Sequence, residues 1–132
     1  MDSNALKAFA QQVIDAEASA VKTLASSLDE SFARAVNLIL DCPGAVLVSG
    51  IGKAGHVARK LSASFSSTGT PSHFLNPAEA LHGDVGSVRR GDVVIILSYS
   101  GESDEIVRML SVIKKLGNPI VAMTSTASNS LA

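Results

Sequence analysis

Two short apolar runs constrain this chain most: Ala45-Val46-Leu47-Val48 and Val93-Val94-Ile95-Ile96-Leu97. Neither contains a polar residue, the pattern of a strand covered on both faces. Each leads into a Ser/Gly turn, Ser49 to Gly52 and Ser98 to Gly101. Each turn leads into apolar residues at helical spacing, Val57, Leu61 and Phe65 in one case and Ile106, Val107, Leu110 and Ile113 in the other. Helices are expected over 53–67 and 104–116, the second stopped by Gly117. Ser72 to Leu75 and Pro119 to Met123 read as two further strands, with a loop and a short helix near Ala78 to Leu81 between. A last helix is expected from about Ser128. Strand, turn and helix in repetition predict an α/β fold with a parallel sheet and helices on both faces.

Ahead of this core the pattern is helical. Leu6, Phe9, Val13, Ala16, Ala20, Leu24 and Leu28 form one apolar stripe, with Asp2 or Ser3 placed to cap its start. A second helix is expected over Asp29 to Leu40, with Phe32, Val36, Ile39 and Leu40 inward, until Pro43-Gly44 breaks it. The organisation expected is a single domain over 1–132, with N-terminal helices in 1–42 and the sheet core in 45–132.

Composition narrows the function. With 46% apolar and 17% charged residues the chain belongs with folded domains, not disordered ones. A net charge of −1 and basic pairs no longer than Arg59-Lys60, Arg89-Arg90 and Lys114-Lys115 argue against nucleic acid and leave those pairs as solvated surface. The longest strongly apolar run, Val93 to Leu97, is far short of a membrane span, and the N-terminus has no secretory pattern; the expected location is the cytoplasm. The single cysteine, Cys42, allows no disulfide within the chain and reads as a structural thiol.

The turns at the strands' carboxyl ends are where an open α/β sheet binds ligands. Gly50-Ile51-Gly52-Lys53-Ala54-Gly55 matches G-x-G-x-x-G, but the acidic residue a dinucleotide site needs at the end of the next strand is replaced by Leu75-Asn76-Pro77. Those glycines read as a tight turn and a close helix–strand approach. Ser98-Tyr99-Ser100-Gly101-Glu102-Ser103 sets three hydroxyls within six residues before a helix N-terminus. That is a donor-rich cradle for one phosphate, with helix capping by Ser103 as the plainer alternative.

The S-x-S-G-E-S/T turn after a buried strand resembles the hallmark of sugar-isomerase (SIS) domains. Ser49 to His56 (S-G-I-G-K-A-G-H), Phe65 to Ser72 (F-S-S-T-G-T-P-S) and Asn76 to Gly86 (N-P-A-E-A-L-H-G-D-V-G) are similar to the arabinose-5-phosphate isomerases of that family. The resemblance implies a three-layer α/β/α SIS fold, a phosphosugar ligand and a homo-oligomer, dimer or tetramer, with shared sites. It implies interconversion of D-ribulose 5-phosphate and D-arabinose 5-phosphate upstream of Kdo synthesis for lipopolysaccharide or capsule. Family members continue through further strands and helices and a catalytic His in an H-P-G-G-type motif, and many end in paired CBS domains. None of the three histidines here lies in such a motif, so the chain reads as the domain's front part, truncated on its C-terminal side.

Aldose–ketose isomerisation needs a base, an acid and charge to stabilise an enediolate, and no metal or cofactor is expected. By resemblance Glu102 is the catalytic carboxylate and is assigned as the base. Lys53, a cation at a helix start, calls for an anion nearby and is assigned to phosphate or enediolate. His82, an imidazole beside Gly83 and Asp84, is assigned to ring opening or proton transfer, in a neighbouring subunit's site if the oligomer shares it. Ser49, Gly50, Ser98, Ser100 and Ser103 are the expected phosphate ligands. His56 is expected to pack or to support the site through a hydrogen bond, and Asp84 to orient His82 or to cap the loop, while His73 reads as structural. A phosphosugar-sensing SIS module without catalysis is the alternative.

Overall fold

The structure, a computed structural model, describes residues 2–132. It divides into two compact units, one running to Arg34 and the other from Ala35 to Ala132. The division falls within a helix, ahead of the change of sequence character at 42–45.

In the first unit, helix α1 spans Ser3–Leu24 and is capped by Asp2, whose carboxylate accepts from the Asn4 N–H at 3.3 Å. The Ser26 and Ser27 hydroxyls donate to the carbonyls of Thr23 and Leu24, at 2.7 and 2.8 Å, in the 3₁₀ turn that ends it. None of its residues is buried, so the stripe of Leu6, Phe9 and Val13 is exposed. Helix α2, Glu30–Leu40, opens on Asp29, whose carboxylate accepts from the N–H and hydroxyl of Ser31. The inward face expected for α2 is not formed by Phe32, Val36 and Leu40, which are exposed; Ile39 alone of that set packs against the sheet core.

The second unit is built on strands β1 (Val46–Gly50), β2 (Ser72–Leu75), β3 (Val93–Leu97) and β4 (Ile120–Met123). They form one parallel sheet in the order β2-β1-β3-β4. Helix α3 (Gly52–Ser67) joins β1 to β2, a short α4 (Pro77–Ala80) lies between β2 and β3, and α5 (Asp104–Leu116) joins β3 to β4. Side chains alternate between two cores. Val46, Val48, Ile95 and Leu97 pack with Ala58, Leu61 and Phe65 of α3. Leu47, Val94 and Ile96 pack with Ile106, Met109, Leu110 and Ile113 of α5 and with Ala80 of α4. The sheet is therefore covered on both faces, the three-layer arrangement expected.

The strand order explains the layers. From β1 the chain moves one way along the sheet to β2, and from β3 the other way to β4. Right-handed crossovers in opposite directions put α3 and α5 on opposite faces. The reversal lies between β1 and β3, so the crevice at their carboxyl ends is the topological switch point.

At the opposite end of the sheet Asp92 ties neighbouring segments together. Its carboxylate accepts from the N–H groups of Ala45 (2.8 Å) and Arg89 (2.7 Å), and its carbonyl accepts from the Asn118 side chain at 3.0 Å. Cys42 lies here too, its thiol 3.4 Å from the Gly91 carbonyl, as a structural thiol would. The helix expected from Ser128 does not form: residues 127–131 are turns, and Leu131 is buried in the α5-side core.

Candidate functional site at the carboxyl ends of the strands

The first turn is shaped by close approach. A methyl on Gly55 would lie 2.8 Å from the Gly50 carbonyl oxygen, and one on Gly50 would lie 2.9 Å from the backbone of Ala54. Only glycine at both positions lets α3 start this near β1, and Gly52 turns the chain with φ +57°. The G-x-G-x-x-G spacing is thus accounted for by packing. Lys53, the second residue of α3, is exposed at this turn.

Ser49 is a correction to the expected phosphate ligands. Its side chain is 0% exposed, and its hydroxyl donates to the Leu75 carbonyl at 2.7 Å, tying β1 to the end of β2. A strand residue whose side chain points into the core cannot also face the crevice. Gly50 is buried as well and offers backbone alone.

The second turn uses its hydroxyls unequally. Ser98 is buried and accepts from the Gly101 N–H at 3.1 Å, which folds the turn around Gly101 (φ +69°). Ser100 is exposed and accepts from the Glu102 N–H at 3.2 Å, leaving its proton to donate. Ser103 occupies the N-cap position of α5 but makes no capping hydrogen bond. Its hydroxyl is not spent on the plainer role that its position allowed. Asp104 and Glu105 follow in the first helical turn, favourable to the helix and opposed to an anion there.

Glu102 is exposed, and both of its oxygens are engaged. Oε1 accepts from the Ser130 N–H and Oε2 from the Ser130 hydroxyl, each at 2.7 Å. The hydroxyl bond, then the N–H bond, hold the carboxyl below its usual range against a slight loss of solvent. Sequence reasoning missed Ser130, and no spacing rule joins residues 28 apart in different turns.

His82 is exposed in the turn after α4, which is capped by Asn76 accepting from the Ala78 N–H at 3.0 Å. Among the described residues no hydrogen bond joins His82 to Asp84; the hydrogen bond found at Asp84 runs from the Ser87 hydroxyl to its carbonyl. The structure does not bring these two side chains together as expected. His73 is exposed on the edge strand β2.

A cleft of about 210 Å³ opens on the β2 side of the first turn. It is lined by backbone of the turn over residues 50–55 and by His56, Arg59, Phe74 and Asn76. His56 is therefore exposed in a cleft, not packed. Arg59, read from sequence as solvated surface, holds its guanidinium carbon 3.9 Å from the centre of the Phe74 ring. Its place one helical turn after His56 on α3 was the available signal. Among the described residues no group of three His, Cys, Asp or Glu side chains is disposed to hold a metal ion, and no helix is long and apolar enough to cross a membrane.

A doubly wound parallel sheet with Ser- and Gly-rich turns at its switch point defines a class: an open α/β domain whose candidate ligand crevice lies at the carboxyl ends of β1 and β3. The sequence profile described as SIS domain matches residues 39–132. The chain belongs to the SIS domain family. The arabinose 5-phosphate isomerase KpsF of Escherichia coli is 45% identical over 123 residues, 92% of this chain and 38% of that protein. KdsD of Pseudomonas aeruginosa, also an arabinose 5-phosphate isomerase, is 46% identical over 93% of this chain and 38% of its own length. The structure of Escherichia coli CFT073 c3406 in complex with A5P superposes with a TM-score of 0.93 at 41% identity, covering 100% of this chain and 70% of that one. The chain thus spans under two fifths of the length of these two curated relatives.

Proposed function

We propose that this chain carries the sugar-phosphate site of an aldose–ketose isomerase that interconverts D-ribulose 5-phosphate and D-arabinose 5-phosphate. The observation that carries the reading is the pairing of two turns at the β1/β3 switch point, one presenting Lys53 and the other Ser100, Glu102 and Ser103. It is supported by 45% identity to a relative named for that reaction.

In this reading the Ser100 and Ser103 hydroxyls and the α5 N-terminus hold the phosphate, with Ser98 shaping the turn. Glu102 removes the C2 proton of the open-chain aldose and returns it to C1. Each of its oxygens keeps a lone-pair site beyond the Ser130 bond, so it can still accept a proton. Lys53 stabilises the enediolate oxygen, where the charge develops. His82 assists ring opening or transfer between O1 and O2, from a neighbouring copy in a homo-dimer or tetramer. His56, Arg59 and Asn76 line the cleft beside Lys53 and offer donors to sugar hydroxyls. Placement in the cytoplasm, upstream of Kdo for lipopolysaccharide or capsule, belongs to the same proposal.

The test is arabinose 5-phosphate in D₂O with the C2 proton followed by NMR. Loss of that signal with the parent protein, and not with Glu102→Gln, is the expected result. Phosphosugar-dependent shifts without exchange would replace the isomerase by a binding module.

A further inference from the structure

The cleft on the β2 side of the first turn gathers donors without an acidic partner. His56, Arg59 and Asn76 line it, and no aspartate or glutamate does. His56 and Arg59 stand three residues apart on α3, on one face of the helix. The Arg59 guanidinium rests on the Phe74 ring, 3.9 Å from its centre. That ring is fixed in turn: Phe74 packs against the α3-side core and reaches over Gly55, where a methyl would lie 3.9 Å from it. A ring against the guanidinium face leaves its five N–H groups, which lie in the guanidinium plane, available at the edge. Asn76 accepts from the Ala78 N–H at 3.0 Å through its side-chain oxygen, so both of its amide protons remain to donate.

The neighbouring cation is disposed differently. Lys60 donates to the Ser64 hydroxyl at 2.9 Å and does not line the cleft. Of the Arg59-Lys60 pair, Arg59 alone belongs to it.

We propose that this cleft is a second anion site, separate from the turn after β3. It takes the phosphate or carboxylate group of a small molecule on Arg59, with His56 and Asn76 completing the hydrogen bonds. A sugar hydroxyl asks for no net charge, and the Asn76 amide would serve it. A guanidinium pre-placed on an aromatic face, with no carboxylate beside it, offers a planar fork suited to two oxygens of an oxyanion. The volume sets the size of the guest. About 210 Å³ is the space of about seven waters at about 30 Å³ each, below the roughly 300–1,000 Å³ of sites for drug-sized ligands. One oxyanion on a short stem fills it. Backbone of the first turn forms part of the lining, so occupancy is felt in the turn that carries Lys53. The site does not depend on whether the domain isomerises a sugar.

The test is ¹⁵N NMR of the full chain, titrated separately with inorganic phosphate and with acetate. The signals read are the Arg59 Nε–H, the Asn76 side-chain amide and the Gly52 and Gly55 amides. Saturable shifts there are expected, and the anion that binds more tightly identifies the group. Arg59→Gln, read at Asn76 and the glycines, should weaken that affinity about tenfold or more, the scale of one charge-assisted contact at a partly open site. Unmoved β3 amides show that the variant is folded. Lys60→Gln removes the same charge one residue away and should leave the affinity unchanged, as should Ser103→Ala in the other turn. No saturable shift at these signals with either anion overturns the proposal. Equal weakening by Lys60→Gln also overturns it, since the response would then come from diffuse surface charge. Shifts of the Arg59 and Asn76 side chains with arabinose 5-phosphate, and with neither simple anion, would make the cleft the sugar end of the proposed substrate site and remove the second site.

Discussion

The two ends of one sheet have been put to opposite uses. At the amino ends of the strands three side chains, Asp92, Asn118 and Cys42, satisfy backbone groups. Asp92 spends its carboxylate on two backbone N–H groups, Asn118 donates to the Arg89 and Asp92 carbonyls, and the Cys42 thiol faces backbone oxygen. At the carboxyl ends polar groups are left over. Lys53 and Ser100 are exposed, and Ser103 sits at a helix start without capping it. At the first end these three side chains are engaged with backbone; at the second Lys53, Ser100 and Ser103 retain donors. Polarity alone does not separate them, since both are rich in polar atoms. What separates them is position: only the carboxyl ends border the switch point, and there the helix-start hydroxyl of Ser103 is left without a capping bond.

The comparison can be broken at either end. The largest effect is expected for Lys53→Met. Activity in the arabinose 5-phosphate assay should drop about 10²–10³-fold, the loss typical of removing one group that stabilises developing charge. Stability should change by no more than about 0.5 kcal/mol, because the side chain is exposed. Next is Asp92→Ala, which strands the Ala45 and Arg89 N–H groups. A loss of about 2–4 kcal/mol is expected in urea denaturation, with substrate affinity in the surviving folded protein unchanged. A Lys53 variant that unfolds, or an Asp92 variant that loses binding while folded, would erase the contrast. The smallest effect is acid sensitivity at the carboxyl ends. Glu102 has a lowered pKa, so its contact stabilises fully above the unfolded glutamate value of about 4.3 and is lost as pH falls through the lower folded value. Because the group is exposed, the slope is small; denaturation midpoints between pH 5 and 2 should differ slightly from those of Ser130→Ala.

Elements were legible where local pattern and burial agree. β3 and α5 sit where the Val93–Leu97 run and the Ile106/Leu110/Ile113 spacing placed them, because buried strands read as unbroken apolar runs and Gly117 is in the left-handed conformation that ends the helix. The α2 face was misread. An apolar stripe says that a helix has a side to bury, but not whether this chain covers it, and Phe32 and Leu40 remain exposed. The site was legible to the level of the turn and not of the side chain. Ser49 and Ser100 look alike in sequence, yet strand alternation turns the first into the core. Arg59 and Ser130 acquire their roles from partners on other elements, Phe74 on β2 and Glu102 on the preceding turn, and neither pairing leaves a periodicity to read.

On the proposed function, the carboxyl ends of the strands, and not the amino ends, receive the phosphosugar. Titrating ¹⁵N-labelled protein with arabinose 5-phosphate tests it directly. The account predicts shifts concentrated in the amides of Gly50 to Lys53 and Ser98 to Asp104, with Ala45 and Arg89 to Asp92 unmoved. Shifts centred on Ala45 and Asp92, or none at either end, would contradict it.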